Sequence, residues 1–522
     1  MKTEREWGGP VGRGGLAGRL GGHRQTVGRR RETPPQPERL PHKASTLQWI
    51  TVLFALFTAA CSVGPRYQRP AVPAPPAYKE AVAEGNWKPA QPSDTQIRGE
   101  WWTMFGDADL NGLEAQVDVS NQDLKAAAAR FQQARALIRL NRSYLYPTVA
   151  IGGNITSNRS SANVPTSNGL TTVNYGDFLL PLDFSWELDT WGRIHHQIES
   201  AREEAQATDA DLETIRLSLH AELAYDYFEL RSLDAQQKLL DDTVAAYRRA
   251  LELTRNLFEG GAASGVDLAQ AQTQLESTRQ QDQDIAVARA EYEHAIAALM
   301  GKAPAEFTLP AKSLSIEPPA IPVGVPSELL ERRPDIAAAE RRVAEANAQI
   351  GIAQSAYYPT VQLSAAIGLD ASSISTWFNW PSRFWAVGPA VLETLFDAGR
   401  RRATNEAATA GYDALVAAYR QTAINAFQQV EDNLAALRVL SQETDTQRAA
   451  VKAAERSLEL SMNQYKGGLV TYLQVVTAQS TALENERTAV DILRRRMDAS
   501  VLLIKALGGG WNASQIPALK KG

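Results

Sequence analysis

The sequence predicts a mainly α-helical protein with membrane-type β-strands, built by internal tandem duplication and able to close its strands only as an oligomer. The first observation is repetition. Tyr146-Pro147-Thr148-Val149, Leu188-Asp189-Thr190-Trp191-Gly192-Arg193, Gly260-Gly261 and Leu299-Met300-Gly301 recur in the same order. They return as Tyr358-Pro359-Thr360-Val361, Leu395-Phe396-Asp397-Ala398-Gly399-Arg400, Gly467-Gly468 and Ala506-Leu507-Gly508. Gly192 and Gly399, Gly261 and Gly468, and Gly301 and Gly508 are each 207 residues apart, whereas Tyr146 and Tyr358 are 212 apart. A fixed period held this long means duplication. The second observation is a pair of long runs almost free of helix breakers, and the third is strict alternation in the segments that follow each Tyr-Pro.

Charge is unevenly spread. The whole chain carries -5, but residues 1–44 hold ten Lys/Arg against four Asp/Glu and residues 45–61 hold no charge, so the remainder carries -11. An acidic body argues against a nucleic-acid binder, which needs a basic face. The one cysteine, Cys61, excludes an intrachain disulfide and a cysteine-rich metal site.

The amino terminus reads as a targeting segment. His42-Lys43 precede an apolar run over 47–60, which is the length of a signal-peptide core and too short for an ordinary spanning helix. Thr58-Ala59-Ala60-Cys61 resembles a lipobox, with Cys61 lipidated as the new amino terminus; Thr58 stands where Leu is usual. The plainer alternative is cleavage near Ala60 with Cys61 a bystander. Residues 1–41 read either as an over-extended reading frame, with a true start near Leu40, or as a long n-region. Prolines 65, 70, 73, 75 and 76 then favour an extended segment to about residue 92, and Trp101-Trp102 opens the folded body.

In the first copy, 107–145 shows a helical apolar pattern that ends at Tyr146-Pro147. Val149, Ile151, Gly153 and Ile155 then alternate with small or polar neighbours. After a polar loop, Phe178, Leu180, Leu182, Phe184, Trp186 and Leu188 share one strand face, opposite Asp183, Ser185, Glu187 and Asp189. Pro181 counts against this strand, since it cannot donate to a ladder. Residues 193–259 contain no Gly or Pro and predict one helix of roughly 100 Å. Gly260-Gly261 breaks it, and 266–300 is its partner. The second copy repeats the plan with a leading helix over 335–357, strands from Val361 and up to Phe396 around an aromatic tip (Trp377, Phe378, Trp380), then helices over 400–466 and 469–507.

Four amphipathic strands cannot close a barrel alone, and an open sheet leaves edges unpaired. Alternation of this length suits transmembrane strands, with aromatics as an interfacial girdle. Closure begins at eight strands, so four per chain demands at least a dimer, and a trimer gives twelve. The helices carry Ala-rich stripes (Ala403, Ala407, Ala408, Ala410, Ala414, Ala417, Ala418), which predict close side-by-side packing into a curved wall. Glu393 lies on the apolar face of the fourth strand, where the periplasmic rim would tolerate it.

The chain resembles TolC-type outer-membrane efflux proteins, in the lipoprotein (NodT-like) branch that serves resistance-nodulation-division (RND) pumps. The resemblance rests on Cys61-Ser62-Val63-Gly64-Pro65, Trp101-Trp102, Asn121-x-Asp123-Leu124, both Tyr-Pro-Thr-Val segments, 329–336, Phe396-Asp397-Ala398-Gly399-Arg400, Tyr465-x-Gly467-Gly468 and Ala478-Gln479. It covers residues 61 to about 510 and implies a homotrimer with a twelve-stranded outer-membrane β-barrel, four strands per chain, on a long periplasmic α-helical barrel. It implies a passive exit duct for small molecules or ions, joined to a periplasmic adaptor and an inner-membrane RND-type transporter. It also implies a gate at two helix-turn-helix tips, here 258–267 and 465–477. Asp267 and Tyr465 match the family's bonded pair and would form a latch; Asp267 as a helix N-cap is the plain alternative. The basic position of one prototype falls at Val470, and its acidic ring positions fall at Gln474 and Thr477, so the carboxylate ring behind cation selectivity is missing.

No catalytic or cofactor motif is present: no phosphate loop, no nucleophile elbow and no zincin helix. His195, His196, His220 and His294 have no ligand spacing with a Cys or each other that suggests zinc. The expectation is therefore a channel, not an enzyme, needing no cofactor beyond lipid on Cys61, with no nucleic-acid partner. The alternative is a soluble periplasmic coiled-coil adaptor or scaffold. The chain divides into 1–60 (extension and signal peptide, removed), 61–100 (lipidated Pro-rich segment), 101–320 (first repeat), 321–510 (second repeat) and 511–522 (tail).

Overall fold

The structure, a computed structural model, describes residues 62–80, 99–163, 172–321, 323, 326–511 and 513–517. Cys61 and the signal segment lie outside the described residues. After a 3-10 turn, Trp101–Phe105, the first copy contains α1 (Ala108–Ser120), α2 (Gln122–Ser143), β1 (Thr148–Ile151), β2 (Asn154–Arg159), β3 (Asn174–Leu188), α3 (Arg193–Glu259) and α4 (Gly265–Leu299). The second contains α5 (Pro334–Ser355), introduced by the single turn Leu329–Arg332, then β4 (Thr360–Ala371), β5 (Arg383–Leu392), α6 (Arg400–Lys466) and α7 (Tyr472–Ala506). The duplication holds to the residue: α3 and α6 are both 67 residues long, α4 and α7 both 35.

The helical pattern over 107–145 is two helices. Asn121 is extended (φ -59°, ψ 130°) and its side chain accepts the Leu124 N–H at 3.0 Å, which restarts the helix. Its amide also donates to the carbonyl of Leu299 at 2.7 Å, closing the end of α4. Arg333 does the same for the second copy, donating to Ala506 at 3.0 Å while Asp335 holds its guanidinium. A side chain cannot fit where these chains touch. A Cβ on Gly301 would stand 2.5 Å from the Ser120 carbonyl oxygen, and one on Gly508 2.0 Å from that of Arg332. Both glycines also adopt positive φ. This close approach explains why each copy ends in a glycine.

The strands form one antiparallel sheet, in which β3 pairs with β4, β4 with β5, and β1 and β2 both lie along β3. The first strand is interrupted at Gly152-Gly153 because its partner there is Pro181: Gly152 donates to the Pro181 carbonyl at 3.0 Å, and the proline has no N–H to return. Register aligns the apolar face across all four strands. Ile151 faces Leu182, Leu182 faces Ile367, and Ile367 faces Trp385. One row along, Val149, Phe184, Ala365 and Val387 line up in the same way. Ile151, Ile367 and Trp385 are 74%, 58% and 75% exposed, so the aligned face is an uncovered apolar belt. Glu393 follows β5 and is ion-paired to Arg401 at 3.0 Å, outside the belt.

The helices lie side by side: α3 packs on α2, α4, α5 and α7, and α6 on α5 and α7. Within one chain alanine makes the close contacts on α3 and α5. Ala207 and Ala210 on α3 and Ala337 and Ala338 on α5 are buried, whereas Ala403, Ala407, Ala410, Ala414, Ala417 and Ala418 on α6 are exposed in one chain. The largest apolar cluster sits at mid-length, where Trp101, Phe105, Tyr227, Phe228 and Met300 are almost fully buried. No described helix is long and apolar enough to cross a membrane.

Buried carboxylates lie in this wall. Desolvation, then the like charges of Glu222 and Glu229, push Asp226 up to about 7. Desolvation and Glu229 push Asp498 up to about 7 as well, against the opposing pull of Arg494 at 2.9 Å. The folded chain holds the Asp226 proton at pH values where the unfolded chain has released it, above about 3.9. This contribution is therefore fully present at low pH and is lost as pH rises from 4 through 7. Asp226→Asn is expected to raise stability at pH 8 by about 1 kcal/mol and to have little effect at pH 4. Melting curves at the two pH values check this; a variant less stable than its parent at pH 8 would overturn it.

Candidate functional site

The chain changes direction at the strand-to-helix crossings and at the helix tips, where the repeated motifs fall. At the first crossing the Asp189 carboxylate accepts the N–H groups of Ile194 (3.0 Å) and His195 (2.8 Å), two of the orphan donors that open α3. At the second, Asp397 accepts those of Gly399 and Arg401, both at 3.1 Å. A negative charge at a helix N-terminus is also favoured by the helix dipole. Each crossing is braced by an ion pair, Arg193 to both oxygens of Glu187 (2.8 and 2.9 Å) and Arg401 to Glu393. The repeated Asp and Gly-Arg of the sequence are thus the parts that turn a strand into a helix.

The segment following Cys61 is fastened at this level. Val63 donates to the Trp191 carbonyl at 3.1 Å. His196 Nε2 stands 3.0 Å from the Ser62 hydroxyl and 2.9 Å from the Val63 carbonyl. Asn347 donates to the Pro65 carbonyl at 3.0 Å, and Tyr67 donates to Glu340 at 2.5 Å. A hydrogen bond to Glu199 leads the effects that raise the His196 pKa, and desolvation opposes it. The sequence placed His196 outside any zinc motif but could not show its role here, because Ser62 and Val63 lie over 130 positions away.

At the tips, α3 ends in Gly260-Gly261 and α6 in Gly467-Gly468, with Gly261 and Gly468 at φ 75° and 72°. The two copies differ in how the next helix starts. Ser264 and Asp267 form a reciprocal capping box on α4: the Asp267 carboxylate accepts the Ser264 N–H at 2.9 Å and its hydroxyl at 2.8 Å, while Ser264 accepts the Asp267 N–H at 3.2 Å. Thr471 gives α7 no such cap. Desolvation works to raise Asp267, but the Ser264 bonds and the backbone N–H of Tyr472 outweigh it and hold the carboxyl below its usual range. The carboxylate that caps α4 thus also faces the start of α7.

The expected pairing of Asp267 with Tyr465 is not made within one chain. Tyr465 is buried, stacks edge-on against Tyr472 at 5.2 Å and donates to Thr254 at a long 3.4 Å. Asp267 is the third residue of a capped helix rather than its N-cap. Gln474 and Thr477 are exposed and line a groove of about 420 Å³ with Ser457, Ser461 and Thr481, a lining without a carboxylate. Val470 packs against the Tyr465–Tyr472 cluster.

Known proteins resemble this chain over most of its length. The outer membrane efflux protein family matches residues 115–302 and 325–509, one segment for each copy of the repeat. The toluene efflux pump outer membrane protein TtgF of Pseudomonas putida is 31% identical over 472 residues, spanning 89% of this chain and 97% of that protein. The cation efflux system protein CusC of Escherichia coli O6:H1 is 31% identical over 463 residues, 88% of this chain and 97% of that protein. The solved structure of the outer-membrane channel OprN superposes with a TM-score of 0.79 at 30% identity, covering 86% of this chain and all of that one. These likenesses set aside a soluble adaptor or scaffold.

Asp267→Ala is expected to cost about 1 kcal/mol of local stability, as loss of a helix cap does. Amide hydrogen exchange should quicken at both tips, over 264–268 and 471–475. Tyr465→Phe should leave both nearly unchanged, because the bond it removes is long. Faster exchange at the first tip alone would show that Asp267 does not serve α7.

Proposed function

The chain belongs to the outer membrane efflux protein family, and we propose that three copies close one export duct joined to a periplasmic adaptor and an inner-membrane RND-type transporter. The protein is an outer-membrane channel component of an efflux system in a Gram-negative cell, with a large periplasmic helical part. It is read as a conduit without catalysis: the chemistry of transport, and the choice of substrate, fall to the inner-membrane partner.

The observation that carries the assembly is a missing contact. Within one chain the leading helix α2 packs on α3, α3 packs on the second leading helix α5, and α5 packs on α6. The next step of that series would place α6 against the α2 of another copy. Both faces that this step would use are uncovered: the exposed alanines of α6, and Leu137 and Leu140 on α2. The sheet stops in the same way, with β5 paired on one side only and β1 and β2 on the other edge. A head-to-tail contact that repeats these steps closes as a ring, and three chains of four strands each make a twelve-stranded barrel.

Lipid on Cys61 would anchor the chain beside the barrel rim, where Ser62 and Val63 are fastened. The tips at 258–267 and 465–477 are the gate, with Asp267 holding the two tips of one chain together. Gln474 and Thr477 leave the narrowest ring uncharged.

Fractionation and light scattering in detergent test the assembly. An outer-membrane particle of three chains is expected, and a soluble monomer or dimer would sink the closure argument. In planar bilayers, Asp267→Ala is expected to raise the conductance of the resting channel. Gln474→Glu should add cation selectivity that the parent lacks; a parent already strongly cation-selective would refute the uncharged ring.

A further inference from the structure

The strands sort their charges by sign. Asp177, Asp183 and Glu187 on β3 and Asp370 on β4 lie on the face opposite the apolar belt, whereas Arg159 on β2 and Arg383 on β5 lie on the belt face. These six are the charged residues of β1 to β5. Both arginines are exposed, and each ends its strand at the side remote from the long helices. The Arg383 guanidinium stands 3.1 Å from the centre of the Trp380 ring, which is 73% exposed. Among the described residues no carboxylate pairs with either arginine. The loops beyond them, 160–173 and 372–382, contain no acidic residue.

Within one chain β3 and β4 separate the two arginines, but the slant of the sheet brings them together between chains. The row of Arg383 runs through Leu369 and Leu180 to the Gly152-Gly153 break, and β2 continues six residues beyond Gly153 to Arg159. At the other end the row of Thr148 runs through Ser185 and Ser364 to Gly388, and β5 continues four residues further to Leu392. The sheet is therefore a parallelogram, and a closed barrel of tilted strands requires such a stagger. In a ring of three, β5 of one chain lies along β1 and β2 of the next, with all chains at one height. Taking up the six-residue stagger at that seam sets Arg383 beside Arg159 of the partner subunit, on strands about 5 Å apart. Like charges directly opposite each other are destabilising, and nothing on this face relieves them. The seam lacks an anion.

We propose that Arg383 and Arg159 of the partner subunit together bind a phosphate-bearing lipid headgroup of the external leaflet, which rests on the trimeric reading above. Guanidinium forks match phosphate oxygens two by two. Indole rings such as those of Trp380 and Trp385 settle at headgroup level. The rows below, with Ile151, Leu182 and Ile367, face the acyl chains. A lipid held by two chains fastens the seam at the end where the loops leave the strands.

The test is native mass spectrometry of the channel in non-ionic detergent, titrated with diphosphoryl lipid A. Three lipids per trimer are expected. Arg383→Gln and Arg159→Gln should each weaken retention about tenfold or more, as loss of a hydrogen bond to a charged group does, and Arg383→Lys should keep part of it. Retention by the double variant equal to the parent's would overturn the proposal. So would inorganic phosphate that displaces the lipid at equal concentration, which would leave a free-anion site only. Loss in Arg383→Gln without loss in Arg159→Gln would place the site within one chain and sink the shared seam. The same spectra give the particle mass: a trimer without lipid refutes this site alone, whereas a monomer refutes the ring itself. If the double variant does not assemble, the single variants at these exposed positions decide.

Discussion

The constraint on which this structure depends is that no copy of its repeat is complete without the next one. A leading helix needs a long helix on either side, and an amphipathic strand needs a neighbour on either edge, because unpaired backbone in lipid costs several kcal/mol per group. Inside the chain the first copy meets that need through the second: α3 lies against α5 and β3 against β4. The second copy has no successor in the same chain. Its alanine-lined α6 and its edge strand β5 are left uncovered in one chain, the half of a contact that the proposed ring would complete.

The junction between sheet and helices is where the chain must change both its periodicity and its surroundings. One acidic side chain at each crossing resolves this by accepting the opening N–H groups of a 67-residue helix. The neighbouring Glu–Arg pairs then fix the angle at which the helix departs. The segment after Cys61 runs across the first crossing and is held there by backbone and side-chain bonds, so that segment, the end of the sheet and the helix start form one connected unit. A Cβ on Gly192 would approach the Ser62 hydroxyl to 2.8 Å, which shows how closely the segment is laid down.

At the opposite end the two copies have diverged. Both tips use paired glycines, but only the first has its own capping box. Asp267 faces the backbone of Tyr472 across the gap, while Tyr465 and Tyr472 pack into a small apolar cluster beneath. The tips meet through half-buried Asp267, a Gln274–Ser480 hydrogen bond at 3.2 Å and this modest core, and so few buried contacts make a region of low local stability.

The sequence by itself determined the duplication, the lengths of the four long helices, the strand faces and the family resemblance, because all of these are periodic. A 207-residue offset, a run free of Gly and Pro, and an alternation of two are properties of order along the chain. It also marked Asn121, Gly301, Arg333 and Gly508 as part of repeated or recognisable motifs without saying why. Only the tertiary structure decided that these residues close helix ends across distant contacts, and that within one chain Asp267 bonds Ser264 in its own tip. Only the structure placed His196 against Ser62 and Val63. Their proximity comes from segments meeting over 130 positions apart, and no local pattern encodes such a meeting.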